Sequence, residues 1–248
     1  TLELSDAELD RITAGTLRIG SGASGALAIS DSVTLDPGGT DTLHLISGDA
    51  ISQSATITVG NLAVEAGDGI TLDMHPNEVD NLAMSAGTGG AQYRDATGFT
   101  VTTVDNVSGI HSASSIGLTA WTGDVTLVNT SAAEDLDAAL GMYIRLRGDE
   151  ALLKLEAGAN LRGDVNLIAD KMDLSGTITA VGETVTLQPY WSRNDAVNLG
   201  STSDGATDTL ELSDSELDRI TTDVLRIGNS NVGPITISAP IDPGGTDT

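Results

Sequence analysis

The stretch TLELSDAELDRITAGTLRIG at residues 1–20 returns as TLELSDSELDRITTDVLRIG at 209–228, identical at 16 of 20 positions. The likeness fades through residues 21–30 and resumes as DPGGTDT, unchanged at 36–42 and 242–248. The offset is 208 residues at Thr1/Thr209 and 206 at Thr42/Thr248, so the second copy lacks two residues inside the strand-turn segment that follows Ser30 in the first. A closed sheet sandwich has no reason to restart one sequence after a full domain's length. A stack of coils can do so indefinitely, because each coil touches only its neighbours. The repeat therefore reads as one solenoid segment over 1–248, with the unit 1–42 recurring at 209–248 and the whole expected to be a window on a longer array.

The local pattern agrees. Aliphatic–polar–aliphatic triplets run along the chain, among them Leu2-Glu3-Leu4, Leu17-Arg18-Ile19, Leu43-His44-Leu45, Leu62-Ala63-Val64, Leu82-Ala83-Met84, Ile116-Gly117-Leu118, Ile144-Arg145-Leu146, Val165-Asn166-Leu167 and Leu225-Arg226-Ile227. Alternation of this kind is the period-2 signature of short strands with one buried face. It places Leu2, Leu4, Leu17 and Ile19 inward, and Glu3, Arg18 and His44 outward. Glycine-rich and Asp-Gly turns such as Gly67-Asp68-Gly69 and Gly123-Asp124 separate the triplets. The expected class is all-β, a parallel β-solenoid of roughly 20–24 residues per coil with short helical or loop excursions.

Three stretches depart from the triplet rhythm. Ser5-Asp6-Ala7-Glu8 has the form of a capping box, with Leu9 and Ile12 as a short apolar stripe, so a helix of about two turns is expected here and at Ser213-Asp214-Ser215-Glu216. Segment 86–115, with Tyr93, Arg94, Phe99 and His111, reads as an excursion from the rod. Segment 131–143 reads as a second short helix or a surface loop.

The TLELSD unit, the VTLQP phrase at 185–189 followed by Val197-Asn198-Leu199-Gly200, and the GDVTL and GDVNL phrases at 123–127 and 163–167 resemble the repeats of bacterial filamentous-haemagglutinin-type adhesins. The resemblance covers most of the chain and is strongest at 163–248 and 1–45. It implies a right-handed parallel β-helix in a very long secreted protein, acting as a stalk or fibre that positions distal binding regions. It specifies a repeat style and no binding activity.

Charge and composition bound the partners. Eleven Lys and Arg against 36 Asp and Glu leave a net charge of −25, which excludes nucleic acid and anionic membrane as favoured partners and invites cations. No cysteine is available for disulfides, zinc or a thiol nucleophile, and such a chain fits export unfolded and refolding outside the cell, at an extracellular or cell-surface address. No signal peptide is visible, and no apolar run approaches the ~18 residues a membrane helix needs. The expected partners are other copies or adjoining repeats end to end, and host or neighbour-cell glycans.

Candidate sites are few. Gln188-Pro189-Tyr190-Trp191-Ser192-Arg193-Asn194 is the single aromatic cluster, and aromatic faces beside polar groups suit sugar rings. Tyr190, Trp191 and Arg193 are the candidate glycan contacts. Asp36-Pro37-Gly38-Gly39-Thr40-Asp41 resembles half of a calcium-binding nonapeptide but reads better as a turn. No cofactor is implied beyond calcium on the acidic surface. His44, His75 and His111 share no spacing and read as solvent-facing rather than as zinc ligands. Asn106-Val107-Ser108 and Asn129-Thr130-Ser131 fit the glycosylation pattern. The chain reads as no enzyme; the alternative is a polysaccharide lyase or glycosidase on a β-helix, which would need carboxylates and aromatics converging in a groove.

Overall fold

The structure is a computed structural model that describes residues 2–35, 39–131, 135–190, 194–242 and 244. It is all-β, and its dominant element is a twenty-stranded sheet whose recorded pairings are parallel throughout. Side chains of one kind stack along that sheet in columns. One column runs Leu27, Ile51, Ile70, Ala91, Ile116, Met142, Val165, Val185, Leu225. A second runs Ile19, Leu45, Val64, Met84, Ile110, Leu136, Leu161, Ile178, Ile220. A third includes Phe99, Val125, Leu153 and Met172. Successive partners lie from 17 residues apart (Leu161 to Ile178) to 28 (Val125 to Leu153), and the last steps widen to 40 (Val185 to Leu225) and 42 (Ile178 to Ile220).

The triplets cause this arrangement. Each strand is too short to be stable alone, and its two aliphatic side chains find cover only when the same pattern recurs directly above and below. Ile51, Leu62, Leu72, Leu82, Ile116, Leu118 and Ile144 are wholly buried. Burying each such side chain contributes about 1.5–3 kcal/mol. Among the described aromatics only Tyr93 and Phe99 join this interior, edge to face with centroids 5.2 Å apart. Turns stack as well: a Cβ on Gly67 would sit 2.3 Å from the Gly48 carbonyl oxygen, and one on Gly87 2.1 Å from that of Gly67. Glycine is needed there because the turns of neighbouring levels touch backbone to backbone.

Segment 86–115 is mostly regular. It holds the strands Ala91–Asp95, Phe99–Val101 and Ile110–Ser112, all in the parallel ladder. Its one excursion is an antiparallel hairpin, Thr103–Val104 with Val107–Ser108, turned by Asp105 and Asn106 at φ 46° and 69°. Two adjacent left-handed residues make the type I′ turn that suits a tight hairpin. Segment 131–143 holds strand Leu136–Ala138 instead of a helix, because Leu136 and Ala138 stack on Ile110 and Ser112; residues 132–134 lie outside the described residues. The capped helices are single turns, Asp6–Leu9 and Asp214–Leu217, shorter than expected because the chain must return to a strand. In each the N3 carboxylate accepts from the N-cap N–H, at 2.9 Å for Glu8 and 2.8 Å for Glu216.

The hairpin corrects the reading of His44. The outward column Arg18, His44, Ala63, Ala83 runs along one face of the stack, and the hairpin folds down over it. Val104 and Val107 pack on Ala63 and Ala83, which are wholly buried although they occupy outward positions. His44 is buried too, its Nδ1 2.7 Å from Asp105 Oδ2. Its Nε2 lies 2.9 Å from Glu65 Oε1, at an angle outside hydrogen-bond geometry. Arg18 clamps the hairpin tip, donating from Nε to Asp105 Oδ2 at 2.6 Å and from a terminal nitrogen to Oδ1 at 2.5 Å. His75 is exposed, and His111 is half-buried with Nε2 2.9 Å from the Ser108 carbonyl oxygen.

Two outcomes follow from this packing. Leu82→Ala should lower the unfolding free energy by about 2–5 kcal/mol in denaturant titration, whereas exposed Thr71→Ala should stay within about 0.5 kcal/mol. The Arg18 hydrogen bond, and after it that from His44, holds Asp105 well below its ordinary 3.8. A carboxyl depressed by folding stabilises the native state above its ordinary value and yields that stabilisation as pH falls through the folded value. Amide exchange at Val104 and Val107, corrected for its intrinsic pH dependence, should therefore accelerate as pH drops below about 4, and Asp105→Asn should show that faster exchange at neutral pH.

Candidate functional site

The sheet carries one concentration of cations and rings. Arg94, Thr119 and Arg145 stand at one register position of three successive levels. Trp121 and Arg147 follow two residues beyond Thr119 and Arg145. The Trp121 N–H donates to the Asp95 carbonyl oxygen at 3.1 Å, fixing its level. The Arg94 and Arg147 guanidinium carbons lie 5.3 and 5.2 Å from the Trp121 ring centroid, and that of Arg145 lies 5.7 Å from the Tyr143 ring. Tyr143 occupies the space above Gly117, where a Cβ would come within 2.7 Å of the ring. Met74 supplies a carbonyl oxygen to Arg94.

Tyr190 is the one proposed glycan contact among the described residues; Trp191 and Arg193 lie outside them. Tyr190 is buried, and so offers no open ring face. Its backbone N–H donates to Asp170 Oδ1 at 2.9 Å, and its hydroxyl accepts from Arg147 Nε at 3.0 Å. The Arg147 guanidinium carbon is 5.9 Å from the Tyr190 ring. The structure thus joins Tyr190 through Arg147 to Trp121, Arg94 and, one residue pair along, Arg145 and Tyr143. Trp121 is 41% exposed and is the most open ring of this cluster. These residues lie up to about a hundred positions apart, so a reading that sought clusters within one stretch missed them. Aligning the triplets level on level would have found them.

Chemically the strip offers delocalised guanidinium charge, an indole edge and amide and hydroxyl groups. That set suits carboxylate or sulfate recognition and sugar contact. The wholly buried Asp95 has a different role. Burial raises its pKa above the usual value, while donors from Tyr93 (2.6 Å), the Thr97 N–H (2.9 Å) and hydroxyl (3.0 Å) and Val79 (3.2 Å) oppose the rise. Its two oxygens are occupied by the corner it closes, beside a buried Gln53–Asn77 pair.

A cleft of about 930 Å³ opens beside helix Asp6–Leu9, floored by Leu9, Leu35, Val59 and Val79 and rimmed by Asp6, Asp10, Asp41, Glu78 and Asp80. Asp41, the described end of the calcium-like stretch, accepts from Asn61 Nδ2 at 2.9 Å; Asp36, Pro37 and Gly38 lie outside the described residues. Among the described residues no three His, Asp or Glu side chains converge so as to hold a metal ion. No helix among them is long and apolar enough to cross a membrane. Compared with protein-family models, with curated proteins and with solved structures, the chain finds no match.

Two cation–π contacts on an exposed indole contribute about 0.5–1 kcal/mol each. Trp121→Leu should therefore cost about 1–2 kcal/mol in denaturant titration and should raise the mobility of the Arg94 and Arg147 side chains in NMR spectra.

Proposed function

We propose that the chain is a segment of a right-handed parallel β-helix that serves as the stalk or fibre of a large extracellular adhesin-like protein. Its work is mechanical and geometric: levels stacked at about 4.8 Å hold distal binding regions away from a surface. The observation that carries this reading is the pair of nine-position columns, each joined by backbone pairing from Leu27 to Leu225 and from Ile19 to Ile220. Such columns transmit load along one axis and can be lengthened without redesign, and the recurrence of the opening unit after about 206 residues supplies the lengthening rule. The net charge of −25 keeps such a rod soluble and discourages side-by-side association. Trp121 with Arg94 and Arg147 gives the rod's flank one patch of opposite character, suited to weak contact with acidic glycans on a host or neighbouring cell.

The test is imaging of the natural full-length protein by electron microscopy. A rod of constant width that lengthens by about 40 Å for each 206-residue repeat supports the stalk reading; compact particles would contradict it. Incubation with pectin, alginate, glycosaminoglycan and peptidoglycan should give no new reducing ends or unsaturated products. Turnover abolished by a single Asp or Glu substitution would favour the β-helix enzyme instead.

A further inference from the structure

At each level the chain passes from the second column to the first through one corner, and the length of that corner varies. It takes six residues from Leu136 to Met142, four from Leu161 to Val165 and seven from Ile178 to Val185. A four-residue corner reaches less far from the stack than its neighbours, so the level of Leu161 is set back between two that overhang it. Leu140 and Val181, on the longer corners to either side, are 75% and 71% exposed. Gly163 permits the set-back turn, since its φ is 116° and a Cβ there would lie 2.7 Å from the Ala138 carbonyl oxygen. The overhang at 181–183 is pinned from the level above it. The Gly182 N–H donates to Asp223 Oδ1 at 2.7 Å, and the Thr222 hydroxyl donates to the Glu183 carbonyl oxygen at 2.9 Å. The result is a preformed cleft of about 670 Å³ in the flank of the rod. It lies within the ladder, between the paired levels of Met84–Ala86 and Ile220–Thr222.

Polar side chains of several levels meet there. His111, Asp137 and Arg162 stand at one register position of three successive levels and line the cleft, with Thr179 one level further on. Glu183, on the overhang, adds a second carboxylate. Ala138, Ala139 and Gly163 give a lining without bulk, and Val181 gives an aliphatic rim. His111 Nε2 is 2.9 Å from the Ser108 carbonyl oxygen, so in the neutral ring it carries the proton and leaves Nδ1 as an acceptor. Along the column the cleft therefore offers acceptors at His111 and Asp137, donors at Arg162, a hydroxyl at Thr179 that is both, and a further acceptor at Glu183.

This order discriminates among ligands. An anion that pairs with Arg162 meets the carboxylates of Asp137 and Glu183, and a cation that pairs with those carboxylates meets Arg162. The net charge of −25 opposes an anion further. A sugar ring presents adjacent hydroxyls, each a donor and an acceptor at once, and so satisfies the whole set with no charge in conflict. Its C–H face suits the Val181 side chain and the alanine methyls, and the volume lies within the range of about 300–1,000 Å³ common for small-ligand sites.

We infer that the cleft between the Gly163 turn and the 181–183 overhang binds a neutral saccharide, with Asp137 and Glu183 accepting from its hydroxyls and Arg162 donating to them. The site is separate from the strip around Trp121, whose cations and rings suit acidic glycans. It goes beyond the stalk reading and does not depend on it, because imaging reports on the rod and the following titration on the cleft.

The probes are cellobiose, maltose and lactose, each titrated into the isotope-labelled whole chain and followed by backbone amide shifts. At least one should give saturable shifts confined to residues 111, 137–139, 162–163 and 179–183. Glucuronate and glucosamine, one anionic and one cationic, should bind there about tenfold more weakly or worse. Asp137→Asn and Arg162→Gln should each weaken sugar binding about tenfold. Ala139→Leu, which adds bulk at an exposed position and leaves the core alone, should abolish it, and Trp121→Leu should leave it unchanged. The rest of each variant's spectrum shows that the ladder is intact. A tetrasaccharide of the bound series that binds more tightly than its disaccharide marks a site for a glycan chain, and equal affinity marks one for a free sugar; both support the inference. It is overturned if none of the three disaccharides gives saturable shifts at those residues, if a charged sugar binds as tightly as the neutral ones, or if Arg162→Gln and Ala139→Leu both leave binding unchanged.

Discussion

The structure depends on a parallel backbone ladder that is satisfied only by the level above and the level below. A strand of three to six residues has few contacts of its own, and both edges carry unpaired N–H and C=O groups. Adding a level satisfies one edge and creates another, so neither stability nor closure comes from any single level. The internal repeat displays the rule from both sides. Leu210 and Leu212 are buried where Lys171–Leu174 and Ala196–Leu199 pack beside them, and Leu2 and Leu4, expected to face inward, are exposed where no described strand does so. Conversely, Ile29 is buried with Ile51–Gln53 alongside, while the equivalent Ile237 is 67% exposed. Sequence identity cannot decide burial where the neighbour decides it.

The same rule separates scaffold from decoration. Inside, aliphatic columns repeat with little variation. Outside, positions are free to carry whatever a covering segment or solvent requires. Ala63 and Ala83 are small because Val104 and Val107 lie on them, and Arg18 and His44 hold the hairpin tip through Asp105. Two levels further along, outward positions bring Arg94, Arg145, Trp121 and Arg147 together. The chemistry of this molecule is written in alternate residues 17 to 28 positions apart, a spacing that the ladder turns into contact.

That explains what could be read from the chain. The triplets Leu62-Ala63-Val64 and Val165-Asn166-Leu167 announce strands and their buried faces without help, because alternation is a local property. The capping boxes at Ser5 and Ser213 are local too, and both form. Whether a polar centre meets solvent is a property of the next segment, and there the reading of His44 failed: it is covered by a hairpin that starts nearly sixty residues later, as Glu211 is by the loop ahead of it. The candidate cluster at 188–194 drew notice because its rings are adjacent in sequence. Among the described residues Tyr190 is buried and Trp121 is the exposed indole, which nothing in its own neighbourhood marks out.

The central claim is that the levels follow one another along a single axis in the stated register. The chain has no cysteine, so pairs introduced at outward positions can carry spin labels without background. Thr71 and Asn166 are four levels apart through Gln92, Gly117 and Tyr143, and Thr71 and Arg226 are six. Backbone separations of about 19 and 29 Å follow from a level spacing of about 4.8 Å. Dipolar distances from Thr71→Cys/Asn166→Cys and Thr71→Cys/Arg226→Cys that differ by about 10 Å in that order would bear the account out; equal distances, or the reverse order, would contradict it.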